Sequence, residues 1–427
     1  MEKTSGFNAG STWAKAVEAC WMIELVVTMK PNPFLIPRFN IDYSFKDFLS
    51  GLGAIALHKD VNLDIIRSEL SDSNIYFANY SRTGISLILQ SLDLPKGSKV
   101  GVPLYSCTVV FDAIINAGFV PKFIDIDDNY TMDPVDLKTK IQDIAALIVI
   151  HTFGRPADMD EIKKIASDIP IIEDCAHSLF SEYKDNVTGN LGDFSCFSLP
   201  KYLSAGGGGM IFVNKKLHPG ELSTFLDSID SPSFVDELTH LLVMYARAFF
   251  YHRPWFGLFA LPIGLSVEGK VDLMDKKSFT IKKINKSDQF LAVKKFKKFR
   301  KKVETQRNNS MFLLDELKNT AFSLPIEKEN TYCNYYLFPI LAPKDEERDE
   351  ICVYLRSKGV DTSTLFSQTP EIAKIKYGYE GDCPFTEHVA KRVFTVPNHY
   401  TLSKKDLLKV SGSLKDYLYL DENNKSK

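Results

Sequence analysis

From about Asn74 the chain alternates short apolar runs with amphipathic segments, and this rhythm predicts an α/β fold built on a mostly parallel sheet. Three observations carry the prediction. Ala145 to Ile150 is uninterrupted and apolar, as a strand buried on both faces requires. Pro95-Lys96-Gly97 and Gly118 punctuate the segments at helix–strand spacing. The run Ile169 to Ile172 delivers polar residues, Glu173-Asp174, at its carboxyl end, where an open α/β sheet places its chemistry.

Taken in order, Ser81-Arg82-Thr83-Gly84 opens a helix carried by Ile85, Leu87, Ile88, Leu89 and Leu92. A strand at Val100 to Pro103 precedes a helix from Val110 to Ala117, and Val120 to Ile126 is the next strand. Asp160 to Ser167 is helical, ahead of the strand that ends at Asp174. The stretch 222–275 breaks the rhythm with a dense aromatic and aliphatic run, Leu241 to Leu265. Pro254 and Pro262 interrupt it, so it is too short to span a bilayer as a helix. Lys276 to Arg307 holds thirteen Lys or Arg against two acidic residues. Within it Phe290, Val293, Phe296, Phe299 and Val303 recur at helical spacing, an apolar stripe among lysines. The last hundred residues read as strand, helix, strand, helix, around Tyr335 to Leu341 and Glu346 to Lys358.

A chain of 427 residues predicts one large and one smaller domain. The division expected is an N-terminal extension at 1–34, a large α/β domain at 35–275 carrying the aromatic-rich insertion 222–275, and a basic linking helix with a smaller α+β domain at 276–427. Residues 12–29 are moderately apolar but broken by Lys15, Glu18 and Glu24, which excludes a signal-peptide reading. They are either an appended helix or a stretch upstream of a true start at Met29. A net charge of −2 argues against a nucleic-acid partner. The seven cysteines form no CxxC pair, which points to reduced thiols in the cytoplasm and to no metal site.

Lys201 sits in Phe197-Ser198-Leu199-Pro200-Lys201-Tyr202, just ahead of Gly206 to Gly209. With Asp174 upstream, it supplies the two groups that pyridoxal phosphate chemistry needs: an amine to condense with the aldehyde, and a carboxylate to keep the pyridine nitrogen protonated. Alone, each motif has a plainer reading. Ser81 to Gly84 is a helix start, His177 a packed histidine, and His151 a structural one.

Together the motifs resemble the nucleotide-sugar aminotransferases of the DegT/DnrJ type, fold-type-I pyridoxal phosphate enzymes. The resemblance runs from about residue 35 to 420. It rests on Ser81 to Gly84, Pro121 to Asp127, His151 to Met159, Glu173 to His177 with Gly192-Asp193-Phe194, and Pro384 to His388 with Ala390, Arg392 and Pro397. It implies a large α/β/α domain with a smaller C-terminal α+β domain, acting as a homodimer. It also implies that the Arg82 and Thr83 amides and the Ser198 hydroxyl hold the cofactor phosphate, that His177 restrains the pyridine, and that Lys201 and Asp174 are catalytic. Tyr105 is the nearest aromatic candidate for stacking on the ring, since Cys107 is unsuitable. The chain departs from the pattern in three places. The interval from Asp193 to Lys201 is two residues shorter, Gly207 replaces a common glutamate, and no asparagine-arginine motif from a neighbouring subunit is recognisable around Ile281 to Asp288. Because a lysine stands at 201, the expected reaction is transamination, from L-glutamate to a keto-sugar carried by a nucleotide, for surface polysaccharide or secondary metabolites. The rivals are another pyridoxal phosphate reaction on a lipid-linked or other sugar, and a non-catalytic cofactor-binding regulator. The aromatic stretch beside the basic run adds an expectation of peripheral contact with a membrane surface.

Overall fold

The computed structural model describes residues 31–57, 61–70, 73–203, 206–214, 220–268, 280–345 and 347–425. The expected appended helix at 12–29, the alternative start at Met29 and residues 276–279 of the basic run lie outside them. The principal elements before the insertion are α1 (Phe45–Leu57), β1 (Asn74–Ala78), α2 (Ser81–Ser91), β2 (Lys99–Pro103), α3 (Thr108–Asn116), β3 (Val120–Ile124), β4 (Ile144–Ile150), α4 (Met159–Ala166), β5 (Ile171–Asp174), β6 (Phe194–Ser198) and β7 (Gly209–Val213). Then come α5 (Phe234–Phe250), α6 (Leu261–Glu268), α7 (Lys286–Leu317), β8 (Phe338–Leu341), α8 (Glu347–Ser357), α9 (Pro384–Arg392), β9 (Val393–Val396) and α10 (Lys404–Lys425).

Among the described residues the main sheet has seven strands in the order β1-β7-β6-β5-β4-β2-β3. Only β7 runs against its neighbours, while β6-β5-β4-β2-β3 pair in parallel. The apolar run read as a central strand is β4, with six of its seven residues buried. One core cluster packs α2 and α3 on the sheet through Ile88, Leu89, Phe111, Val102 and Ile211. The opposite face is covered by α4, through Ile162 and Ala166 against Leu147 and Val149, and by α7, through Phe296, Phe299 and Val303. The predicted stripe of α7 therefore faces the core, with Phe290 and Val293 at its half-buried margin.

Two expected strands are shorter than predicted. β3 stops at Ile124 because the Asp125 amide donates to the Asp136 carboxylate rather than to the ladder. The Asp125 carboxylate in turn accepts from the Phe385 and Thr386 amides at the start of α9, at 2.9 and 2.7 Å. Two motifs separated by 260 residues thus close on each other. β8 begins at Phe338 rather than Tyr335, because Tyr335 has φ +49° and leaves the extended region. β8 and β9 pair antiparallel over a second core formed with α8 and α10, including Phe338, Ile340, Leu355, Phe394 and Val410. Ile36 belongs to this second core and bridges Val360.

The insertion folds largely as helix. Ser233 and Asp236 cap α5 reciprocally, with side chains and amides bonded at 3.1 and 3.3 Å. No helix among the described residues is long and apolar enough to cross a membrane.

Beneath β5 lies a fully buried polar knot. Glu173 accepts from the amides of Gly189, Leu191 and Gly192 at 2.8, 2.7 and 2.5 Å, and bonds His151 Nε2 at 2.9 Å. His151 Nδ1 accepts from the Ala157 amide, so its proton sits on Nε2 and is donated to Glu173. Cys175 lies near both, but burial pushes its thiol well above the usual range and keeps it protonated. With these atoms committed, the cluster reads as structure. Glu173→Gln should turn an NH2 group toward one of these donors and cost about 1–3 kcal/mol in urea unfolding. Unchanged stability would mean the knot carries no structural load.

Candidate active site

The parallel strands deliver their carboxyl ends to one edge of the sheet. β5 ends in Asp174. β6 ends in Ser198 and passes through one tight turn, Leu199–Lys201. β1 leads through Asn79 and Tyr80 into the N-terminus of α2. Between them opens a cleft of about 450 Å³ whose wall includes Ser81, Arg82, Asp174, Ser198 and Lys201.

The glycine run is what lets these pieces meet. Gly209 pairs with Ser198 on one side and Ala78 on the other. A Cβ there would lie 2.3 Å from the Tyr80 carbonyl carbon and 2.4 Å from the Ser81 nitrogen, so the start of α2 seats only against a hydrogen atom. Gly208, with φ +108°, turns the chain into that approach.

Lys201 is reached from the cleft but otherwise enclosed by protein. Burial lowers its ammonium pKa below the usual lysine value, and Asp174 pulls it back up. Asp174 is buried, so its carboxyl is raised above the ordinary value, with the Lys201 charge and the Ala176 amide opposing the rise. Among the described residues, the one hydrogen bond to its carboxylate is from that amide, at 2.9 Å.

At the other end of the cleft, α2 starts without a capping side chain, its first residue following Tyr80. The Ser81 hydroxyl is buried and has no hydrogen-bond partner among the described residues. An uncapped helix start with an unused hydroxyl is a ready anion site. Arg82 stacks its guanidinium over the Tyr80 ring at 4.1 Å. Thr83 needs a correction. It is fully buried behind the cleft, its amide donates to Tyr80 O at 3.1 Å and its hydroxyl to Asn79 Oδ1 at 2.7 Å. Ser81, named only as the start of the motif, lines the cleft instead.

Tyr105 also departs from expectation. Its ring is wholly buried among Tyr130, Phe153 and Phe366, and its hydroxyl donates to Leu365 O at 2.9 Å. It packs behind the cleft rather than facing it. His177 is buried and kept neutral, its pKa lowered well below the usual range by burial and then by Lys201. Its Nδ1 accepts from the Phe153 amide. Its ring stacks on Tyr336 at 4.7 Å, and Tyr336 is the residue that reaches the cleft, with Lys201 Nζ 5.7 Å from its ring centre.

The insertion supplies a wall that sequence reasoning missed. α5 lies over the glycine run, where a Cβ on Gly206 would fall 2.0 Å from Met244 Sδ. His240 bonds Asp288 at 2.7 Å and ties α5 to α7. The Asp288 carboxylate stands 2.8 Å from where a side chain on Gly207 would begin, so a carboxylate from α7 fills the space beside that bare glycine. Arg247 of α5 lines the cleft as a further cation, whereas Arg38 is neutralised by Asp361 at 2.9 Å. Arg247 was legible only as an arginine in an aromatic stretch.

The family model of the DegT/DnrJ/EryC1/StrS aminotransferases matches residues 77–225 and 280–415. GDP-perosamine synthase of Escherichia coli O157:H7 is 24% identical over 341 residues, covering 78% of this chain and 82% of its own. The dTDP-3-amino-3,6-dideoxy-alpha-D-galactopyranose transaminase of Aneurinibacillus thermoaerophilus is 24% identical over 374 residues, covering 83% and 92%. Among solved structures, Spr1654 of Streptococcus pneumoniae in its PLP form superposes with a TM-score of 0.67 at 17% identity, covering 91% of this chain and 99% of its own. That likeness establishes the fold, a fold-type-I arrangement. The matched segments take in both the Asp174 strand and the Lys201 turn, and the chain belongs to the DegT/DnrJ/EryC1/StrS aminotransferase family.

Proposed function

We propose that this aminotransferase uses pyridoxal 5'-phosphate to move an amino group from L-glutamate to a nucleotide-linked keto-sugar, in surface polysaccharide or secondary-metabolite biosynthesis. The observation that carries the reading is the buried Lys201–Asp174 pair in a cleft that ends at an uncapped helix start. The donor set fits the cofactor. The orphaned Ser81 hydroxyl, the first amides of α2 and Ser198 suit a phosphate. The Asp174 carboxylate, which among the described residues accepts from one amide, has capacity left for a protonated ring nitrogen. When bound, pyridoxal phosphate supplies an aldehyde to take up the amino group and a ring to accommodate the electron pair left when a C–H bond breaks.

The chain's own part is to hold, orient and move protons. Lys201 has its amine pKa lowered by burial, so the neutral form needed to take a proton from the donor's Cα is reached at lower pH than for an exposed lysine. The same amine returns a proton on the acceptor side. Neutral His177 and the Tyr336 ring beside it keep one side of the cleft free of charge. Arg82 and Arg247 are suited to the anionic groups of donor and acceptor. The names of the two relatives, a GDP-sugar and a dTDP-sugar enzyme, support a nucleotide-linked acceptor. The family resemblance supports a homodimer in the cytoplasm, which sedimentation velocity and cell fractionation test.

Lys201→Ala should abolish turnover and leave no residue carrying covalently attached pyridoxal phosphate after borohydride reduction, read by peptide mass spectrometry. Full turnover in that variant would assign the chemistry elsewhere. In Asp174→Asn the carboxylate that raises the Lys201 pKa is gone, so the midpoint for reaction of that amine with an aldehyde should move to still lower pH. An unmoved midpoint would sever the electrostatic link between the two. Arg247→Gln should raise KM for the nucleotide-linked acceptor about tenfold with little change in kcat, as loss of one charge-assisted bond implies. An unaltered KM would remove Arg247 from substrate recognition.

A further inference from the structure

The family match stops at residue 225 and resumes at 280. The span between them holds an aromatic cluster that the proposed chemistry does not use. Phe249, Phe250, Trp255 and Phe259 touch ring to ring, with centroids 5.5 to 6.5 Å apart. Each remains 37 to 45% exposed. Ile263, one turn further on, and Leu242 and Val243, earlier on α5, are at least half exposed and extend the patch. Single exposed apolar residues are ordinary, but four rings in mutual contact, left in water, mark an interaction surface.

The neighbouring helices say what would cover it. α1 packs against α5, with Leu241 against Gly51 and Phe45 and Phe48 against Tyr245. It presents its own outward apolar residues, Phe45 and Leu49. On its far flank α1 meets α7, where Lys294 donates to Ser50 at 2.7 Å. Lys295 and Lys302 of α7 turn inward to Asp47 and Asp42. Lys294, Lys297, Lys298 and Lys301 recur at intervals of three and four, all exposed on one side of the helix. The layer therefore runs from aromatic patch through apolar stripe to lysine row.

We propose that this face docks on an anionic phospholipid bilayer, with the α5–α6 aromatics at the headgroup boundary and the α7 lysines against the lipid phosphates. Aromatic rings suit that boundary, and the pairing of a shallow apolar face with a basic border is the composition of a helix layer lying on a membrane. A second copy of the chain fits this face less well. A twofold contact through it would draw two lysine rows around one interface. The inner side of α5, carrying Met244 and Arg247, walls the cleft, so docking would hold that wall of the active site close to the lipid surface. The inference does not depend on which sugar is aminated.

Flotation with vesicles of phosphatidylcholine and phosphatidylglycerol tests it. The holoenzyme should float with these vesicles at low salt, less at high salt, and not with pure phosphatidylcholine. Trp255→Ser/Phe259→Ser should release it, and Lys297→Gln/Lys298→Gln should weaken binding by roughly tenfold or more, both without loss of turnover on a soluble acceptor. The other two tryptophans are Trp13 and Trp21. In a Trp13→Phe/Trp21→Phe background, emission from Trp255 should shift to the blue on adding anionic vesicles. No flotation with anionic vesicles, or no effect of the ring substitutions on it, overturns the proposal. So does a fall from dimer to monomer in sedimentation velocity on replacing Trp255 and Phe259, which would make the face a subunit interface.

Discussion

A lysine and a carboxylate share one buried cleft, and that constraint organises the surrounding structure. Taking either charge out of water is costly, and their attraction offsets the cost only when both are held in place. The opposite pulls on Lys201 and Asp174 express this balance: burial disfavours the charge on each, and each favours the charge on the other. Holding them falls to β5 and β6, which are hydrogen-bonded neighbours with Asp174 opposite Cys196. A tight turn then sets Lys201 three residues past the end of β6. The glycine run brings the start of α2 against the same edge, at a distance that no side chain would permit.

Two adjacent carboxylates show how a structural acid differs from one poised for chemistry. Glu173 and Asp174 are both buried at the end of β5 and point to opposite faces of the sheet. Glu173 is saturated by three amides and a histidine. The Asp174 carboxylate accepts from a single amide among the described residues. A buried carboxylate with unused acceptor capacity beside an ammonium group is an unfinished site, because full satisfaction is the rule for buried polar groups. The two histidines divide the same way. His151 has both nitrogens committed, while His177 commits Nδ1 to Phe153 and lays its ring against the cleft residue Tyr336.

Much of this was legible in the sequence because the code there is local. An apolar run ending in Glu-Asp, and a lysine ahead of four glycines, report their positions through chain geometry alone. Asp174, Ser198, Lys201 and Arg82 accordingly line the cleft. Thr83 and Tyr105 do not, for a shared reason. Each lies within two residues of a cleft residue, Arg82 and Cys107, and a helix start or strand end turns consecutive side chains to different sides. Sequence spacing fixes the neighbourhood but not which residue faces inward. Arg247, Tyr336 and Asp288 were illegible because they arrive from elements distant in the chain. The Asp288 case is telling: a glycine at 207 looks like a lost carboxylate until α7 is seen to bring one to the same place.

The insertion resists sequence reading for a different reason. A surface helix normally turns its apolar stripe inward and its polar face to water. On α5 the inward side carries His240, Met244 and Arg247 beside Leu241 and Ala248, while Leu242, Val243, Phe249 and Phe250 face outward. A hydrophobic pattern read along the chain would assign those outward residues to the core. The inward side carries polar residues where it borders the cleft, and the outward side is apolar, touched by Trp255 and Phe259 of the same insertion yet still 43 to 52% exposed. The inverted pattern is consistent with one helix serving two boundaries, the wall of a site on one side and a docking surface on the other. It also explains why the addition could be accommodated at this point of the fold. It enters between the last strand of the sheet and the long helix α7, where His240 and Asp288 anchor it without disturbing the strand ends that carry the chemistry.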